Sequence, residues 1–123
     1  LSRKKTLHRI FDSVRPRLPA GYTFAAFEAA FQGWDVVPLT RNDELIGGVL
    51  IQGHELHVGY VRAPGSAMRR HLREVMERMP RPLKTAVAVD NAAGLRFCQR
   101  LGFQEIGRAD GVIHLRCEKP NYV

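Results

Sequence analysis

The stretch Glu55-Leu56-His57-Val58-Gly59-Tyr60-Val61-Arg62-Ala63-Pro64-Gly65-Ser66-Ala67 changes its period halfway along. In its first half Leu56, Val58 and Tyr60 alternate with Glu55, His57 and Gly59. That alternation predicts a strand over 55–61 with the two sets on opposite faces. A glycine turn then leads to Ser66, and Met68, Leu72, Val75, Met76 and Met79 recur at helical spacing. A helix is therefore expected over 66–79, ended by Pro80 and Pro82. Thr85 to Val89 follows as a continuous apolar run, which reads as a buried central strand. A strand–helix–strand unit of this kind lays its two strands parallel, with the helix on one face. The turn between strand and helix has a further property. Backbone N–H groups at a helix N-terminus lack intrahelical partners and carry the positive end of the dipole, so they suit a phosphate. Neither the Walker pattern nor the dinucleotide fingerprint occurs there.

The flanking segments complete the order. Leu7, Ile10, Phe11, Val14 and Leu18 mark a first amphipathic helix, with Ser2 as its cap and Pro16 at its end. Phe24, Phe27 and Phe31 mark a second, capped by Thr23 and closed by Gly33, and their aromatic stripe reads as core. Short strands are expected over 35–39, where Pro38 implies an edge, and over 45–51, where Gly47-Gly48 implies a bulge. The turns Arg41–Glu44 and Gln52-Gly53 make these two and the 55–61 strand an antiparallel meander. After the 85–89 strand, Asp90 or Asn91 caps a helix whose apolar positions are Leu95, Phe97, Cys98 and Leu101, and Gly102 ends it. Strands over 103–108 and 112–117 flank a hairpin turn at Ala109-Asp110-Gly111. The fold class is α/β: a mixed, mainly antiparallel sheet with a central parallel strand pair and flanking helices.

Length and composition agree with one globular domain. The chain has 123 residues, of which 45% are hydrophobic and 25% charged. No apolar run approaches the ~20 residues of a membrane span. Cys98 and Cys117 match no metal spacing, so no metal is expected, and they read as thiols in a reducing, cytoplasmic compartment. The formal net charge of +7 is unevenly placed. Residues 1–20 hold six basic residues and one acidic, residues 21–61 one basic and five acidic, and residues 62–82 six basic and two acidic. The third block coincides with the phosphate-suited turn. The first has no such explanation. No interleaved aromatic arm or RNA-binding signature supports nucleic acid as its partner.

Two segments together resemble the GNAT superfamily of acetyl-CoA-dependent N-acetyltransferases. Arg62-Ala63-Pro64-Gly65-Ser66-Ala67 matches the family's Arg/Gln-x-x-Gly-x-Gly/Ala signature. Asn91-Ala92-Ala93-Gly94-Leu95-Arg96-Phe97-Cys98-Gln99-Arg100-Leu101-Gly102-Phe103 resembles its second signature, with Cys98 where a Tyr usually stands and Gly94 where an Ala usually stands. The resemblance implies a splayed parallel strand pair that binds acetyl-CoA as co-substrate. It implies backbone contacts from Gly59, Tyr60 and Val61 to the pantetheine arm. The turn Arg62, Ala63, Gly65, Ser66 and Ala67 would hold the pyrophosphate, and Asn91 would contact the co-substrate from the other strand's end. Pro64 has no N–H to offer. The family's usual first strand has no counterpart after Leu1 and is expected upstream. Many relatives dimerise through their last strands, so a homodimer is among the implied assemblies.

The implied reaction is direct attack of a primary amine, on a small molecule or a peptide, upon the thioester within a ternary complex. It needs a base for the amine and a group to stabilise the departing thiolate. His57 and Glu55 are the base candidates, because they share a strand face, and a histidine titrates near neutrality. Alternation along a half-exposed strand would also explain both side chains. Cys98 is the acid candidate by position, although a thiol is a weak donor and a buried Cys usually packs as a small hydrophobe. The alternative function is a GNAT-like domain, of a kind some phage proteins keep, that has lost catalysis and serves as a CoA-binding or assembly module.

Overall fold

In the computed structural model, residues 2–60 and 66–122 are described, with side chains omitted for 66–70. The elements run α1 (Arg3–Val14), a 3-10 turn (Arg15–Arg17), α2 (Phe24–Ala30), β1 (Asp35–Arg41), β2 (Glu44–Gln52), β3 (Glu55–Tyr60), α3 (Ser66–Glu77), β4 (Leu83–Ala88), α4 (Ala92–Arg100), β5 (Gln104–Ala109) and β6 (Val112–Cys117). The six strands form one sheet in the order β1-β2-β3-β4-β6-β5. β3 and β4 pair in parallel, whereas β1–β2, β4–β6 and β5–β6 pair antiparallel. The fold class read from the sequence is thus the one observed. The chain divides into two compact units: one holds α1, α2, β1, β2 and β3 from His57 on, and the other holds the start of β3 with α3, β4, α4, β5 and β6.

In the first unit the N-terminal helix signals act as expected, whereas α2 ends at Ala30 with Phe31 as its cap, and Gly33 lies in the turn beyond rather than closing the helix. Ser2 Oγ accepts from the Lys5 N–H at 3.1 Å and Thr23 Oγ1 from the Ala26 N–H at 3.1 Å, so both helices carry side-chain caps. Leu7, Ile10, Phe11, Phe27 and Leu50 form the core, with Phe24, Phe31 and Trp34 packed against it. Each such large apolar side chain contributes about 1.5–3 kcal/mol when fully buried. The aromatic stripe of α2 is core, as expected. Its rings continue those of α1: Phe11 lies 5.4 Å from Phe27, Phe27 4.9 Å from Phe31, and Phe31 5.2 Å from Trp34.

The glycines of β2 and β3 serve two purposes. A register irregularity does occur beside them: Leu39 pairs with Gly47 but Thr40 with Leu45, leaving Ile46 as the extra residue. Their main role is close approach. A Cβ on Gly48 would stand 2.7 Å from Ile10 Cδ1 and 2.9 Å from Thr6 Cγ2, and one on Gly59 would stand 2.7 Å from Ile10 Cγ2 and 2.8 Å from Ser13 Oγ. Helix α1 therefore lies directly on the backbone of β2 and β3. This corrects the reading of the 55, 57, 59 face of β3 as a polar, solvent-facing one. Gly59 is buried beneath α1, and His57 is half-buried.

The second unit brings another correction. β4 begins at Leu83 rather than Thr85, and it is not buried along its length. Leu83 and Val87 are buried, Lys84 and Ala88 are exposed, and Val89 lies beyond the strand at 49% exposure. The apolar run 85–89 misleads because small residues such as Ala86 and Ala88 are tolerated on either face. The β5–β6 hairpin turns through Asp110 (φ 52°) and Gly111 (φ 76°), the positive pair that a two-residue hairpin requires. β5 is exposed throughout at the sheet edge, and its register shifts at Ile106.

Candidate active site

The expected site residues fall on three pieces of chain. The first is the end of β3. The His57 ring lies 5.7 Å from the ring of Trp34, tilted by 40°. Trp34 is itself fixed. The Arg3 guanidinium donates to the Trp34 carbonyl, and to the Phe31 carbonyl at 2.8 Å. Arg9 Nε likewise donates to the Leu45 carbonyl at 3.1 Å. Two of the six basic residues in the N-terminal block thus satisfy main-chain carbonyls of other elements, so its charge has a partly structural origin. The sequence reading missed Trp34. The signal available was the chain's single tryptophan, one residue past Gly33 and before β1.

The second piece joins β3 to α3. Val61, Arg62, Ala63 and Gly65 lie outside the described residues. Gly59 and Tyr60 close β3, and Ser66 and Ala67 open α3. The start of β3 is anchored to β4. Glu55 pairs with Lys84, the Lys84 N–H donates to the His54 carbonyl at 2.8 Å, and Thr85 Oγ1 donates to the Leu56 carbonyl at 2.7 Å. A side-chain hydroxyl thus takes the Leu56 carbonyl. His54 Nδ1 also donates to the Pro82 carbonyl at 3.0 Å, which ties the β2–β3 turn to the approach of β4.

The third piece is the segment 91–103, whose signature has a clear structural content. Asn91 caps α4, its Oδ1 accepting from the Gly94 N–H at 3.0 Å. Gly94 leaves room for that cap, since a Cβ there would stand 2.5 Å from Asn91 Nδ2. The departure from the family's usual Ala therefore has a local reason. At the other end, the Gly102 N–H donates to the Gln99 carbonyl at 3.0 Å and the Phe103 N–H to the Cys98 carbonyl at 3.0 Å. With Gly102 at φ 99° and Phe103 buried, Leu101-Gly102-Phe103 is a Schellman stop. Cys98 is half-buried, and burial pushes its thiol up to about 11. Burial also raises the Cys117 thiol, whose Sγ points to the Leu101 carbonyl at 3.8 Å.

Cys98 is therefore a neutral thiol throughout the ordinary pH range. It can offer an S–H to a neighbour, but full proton transfer from it to an ordinary thiolate, whose pKa is about 8.5, is uphill. Among the described residues no group of three or more His, Cys, Asp or Glu could hold a metal ion, and no helix is long and apolar enough to cross a membrane.

The described chain is a six-stranded mixed sheet with one parallel pair and flanking helices. A protein from Bordetella pertussis, provisionally named a GnaT-family acetyltransferase, superposes on this chain with a TM-score of 0.59 over 94% of this chain and 90% of that one, at 21% identity. At that identity the likeness shows the fold. No protein-family model matches the sequence, and no curated protein is similar to it.

Proposed function

We propose that this protein transfers an acyl group from acyl-CoA, acetyl-CoA in the first instance, to a primary amine. The observation that carries the reading is the junction of β3 and α3. The strand that pairs in parallel with β4 runs to Tyr60, α3 opens at Ser66, and the sequence between them includes Arg62-Ala63-Pro64-Gly65. In this reading the main-chain amides of Ala63, Gly65, Ser66 and Ala67 take the pyrophosphate, beside the Arg62 side chain. The backbone of Gly59, Tyr60 and Val61 takes the pantetheine arm and polarises the thioester carbonyl. Asn91 has its carboxamide oxygen in the α4 cap, and its nitrogen is the group proposed to meet the co-substrate.

His57 serves as the base, with Glu55 on the same strand as the second candidate. The amine nitrogen attacks the thioester carbon, a C–N bond forms and the C–S bond breaks. The nitrogen's proton passes to the His57 imidazole, and the electron pair of the broken bond leaves on sulfur as thiolate. Cys98 contributes at most a hydrogen bond to that sulfur. Its raised pKa is also what favours the second reading, a domain that binds acyl-CoA without turnover.

Isothermal titration with acetyl-CoA, followed by mass-spectrometric detection of acetylated product from a panel of amines, tests the proposal. Saturable binding with product supports it. Binding without product selects the second reading, and no binding at millimolar acetyl-CoA overturns both.

A further inference from the structure

We propose that the groove between the C-terminal end of α1 and the segment entering α2 is a binding site for a small aromatic carboxylate. The groove encloses about 380 Å³ and is lined chiefly by Phe11, Arg15, Leu18, Pro19, Tyr22 and Phe24. That volume lies near the lower end of small-molecule pockets, roughly 300–1,000 Å³. All of its walls belong to the first compact unit.

The walls are set before any ligand arrives. Phe11 is 4% exposed and forms the floor, with Phe24 edge-on to it at 5.7 Å and 71°. The Tyr22 N–H donates to the Pro19 carbonyl at 3.0 Å, and Gly21 stands at φ 81°. This is a type II turn, with its glycine at the position that demands positive φ. Thr23 then caps α2. A ligand entering the groove therefore has little ordering cost to meet.

The charge of the lining selects the ligand. Among the lining residues Arg15 is the one side chain charged at neutral pH, and the remaining walls are apolar, aromatic or hydroxyl-bearing. The Arg15 guanidinium carbon sits 5.8 Å from the centre of the Phe11 ring, so the cation is held over the aromatic floor. A guanidinium takes a carboxylate through two parallel N–H bonds. A planar apolar group carrying a carboxylate would lie against the apolar lining and place its anion on Arg15. An ammonium there would meet a like charge. The lining holds no carboxylate, imidazole or thiol, and the proposal is of binding alone. This inference is independent of acyl transfer.

The test uses the full chain without CoA, with phenylacetate as probe and phenylacetamide and phenethylamine as controls of the same shape. Titration is followed by calorimetry and by amide and ring chemical shifts. Phenylacetate should bind saturably, with shifts confined to residues 11–24. Phenylacetamide and phenethylamine should bind about tenfold or more weakly, as loss of a charge-assisted pair predicts. Arg15 is exposed, and Arg15→Gln should cost phenylacetate about tenfold while leaving the chain folded, as its amide spectrum will show. Arg15→Lys should recover part of that loss. Absence of saturable binding, equal binding of the amide, unchanged binding by Arg15→Gln, or shifts centred outside residues 11–24 would each overturn the proposal.

Discussion

A Cβ on Gly47 would overlap the carbonyl oxygen of Gly59, twelve residues away on the neighbouring strand, and would stand 3.1 Å from both the Gly59 carbonyl carbon and Tyr60 Cα. The obstacles are all main chain. Gly47→Ala therefore cannot be absorbed by a rotamer change, and it should destabilise by about 3 kcal/mol, the upper end of overpacking costs. Gly48→Ala meets the side-chain ends of Ile10 and Thr6 instead and should cost about 1–2 kcal/mol. Urea denaturation of the two variants should give that order. Equal midpoints would show that the strands can move apart.

The Asn91 cap and Gly94 form a coupled pair. Asn91→Ala should cost about 1 kcal/mol, as loss of an N-cap does. In an ordinary helix Gly→Ala gains about 1 kcal/mol. Here Gly94→Ala should not show that gain, because the new Cβ would displace the Asn91 carboxamide. In the double variant the cap is already gone, so Gly94→Ala should stabilise relative to Asn91→Ala alone. A double-mutant cycle by thermal melting reads this coupling directly.

The thiol of Cys98, pushed up to about 11 from 9.0, gives a signed pH dependence. The folded state binds this proton more tightly than the unfolded chain does. The stability it contributes is therefore fully present below pH 9 and is lost as pH rises from about 9 through 11. Cys98→Ala should flatten the alkaline limb of a stability–pH curve measured by urea titration. At pH 8, alkylation of native Cys98 by iodoacetamide should run roughly a hundredfold slower than in the denatured chain, by thiolate fraction.

Within the acyl-transfer reading, His57→Gln should lower turnover about a hundredfold or more and leave the calorimetric affinity for acetyl-CoA unchanged. Cys98→Tyr should raise turnover, because a phenol hydrogen-bonds a departing thiolate better than a thiol does. Trp34→Leu should alter turnover without altering acetyl-CoA affinity, since the indole touches His57 and lies on another segment from the proposed pyrophosphate turn.

At Glu105 and Arg108 a bulge decides which residues meet. Ile106 is the extra residue of β5, so the two charged side chains share a face although three positions separate them, and they pair at 2.8 Å. The Arg108 hydrogen bond holds the Glu105 carboxyl below its usual 4.5. The stabilisation is therefore present above that value and disappears as pH falls through the lower native one. Both residues are exposed, so the effect of Glu105→Gln should be small at pH 7 and absent near pH 2, as thermal melts will show.

Element order and most boundaries were legible because their causes are local. Ser2, Thr23 and Asn91 cap helices through their own side chains, and Gly102 stops α4 with bonds no farther than five residues back. The site was legible only as motifs. His57 and Asn91 could be named, but the Trp34 ring beside His57 could not. That contact joins segments 23 residues apart, and no spacing rule encodes it.

The sequence alone determined the succession of helices and strands, the hairpin at Asp110-Gly111 and the strand–helix–strand unit that makes one pair parallel. Periodicity, capping and turn chemistry act over a few residues and can be read along the chain. The tertiary structure alone decided that Gly47, Gly48 and Gly59 are places where backbone meets its neighbours, that α1 lies against Gly59 of β3, and that β4 is buried at only two positions. Those outcomes depend on which surfaces close-pack across long separations, and packing is set by the volumes of remote side chains rather than by local pattern.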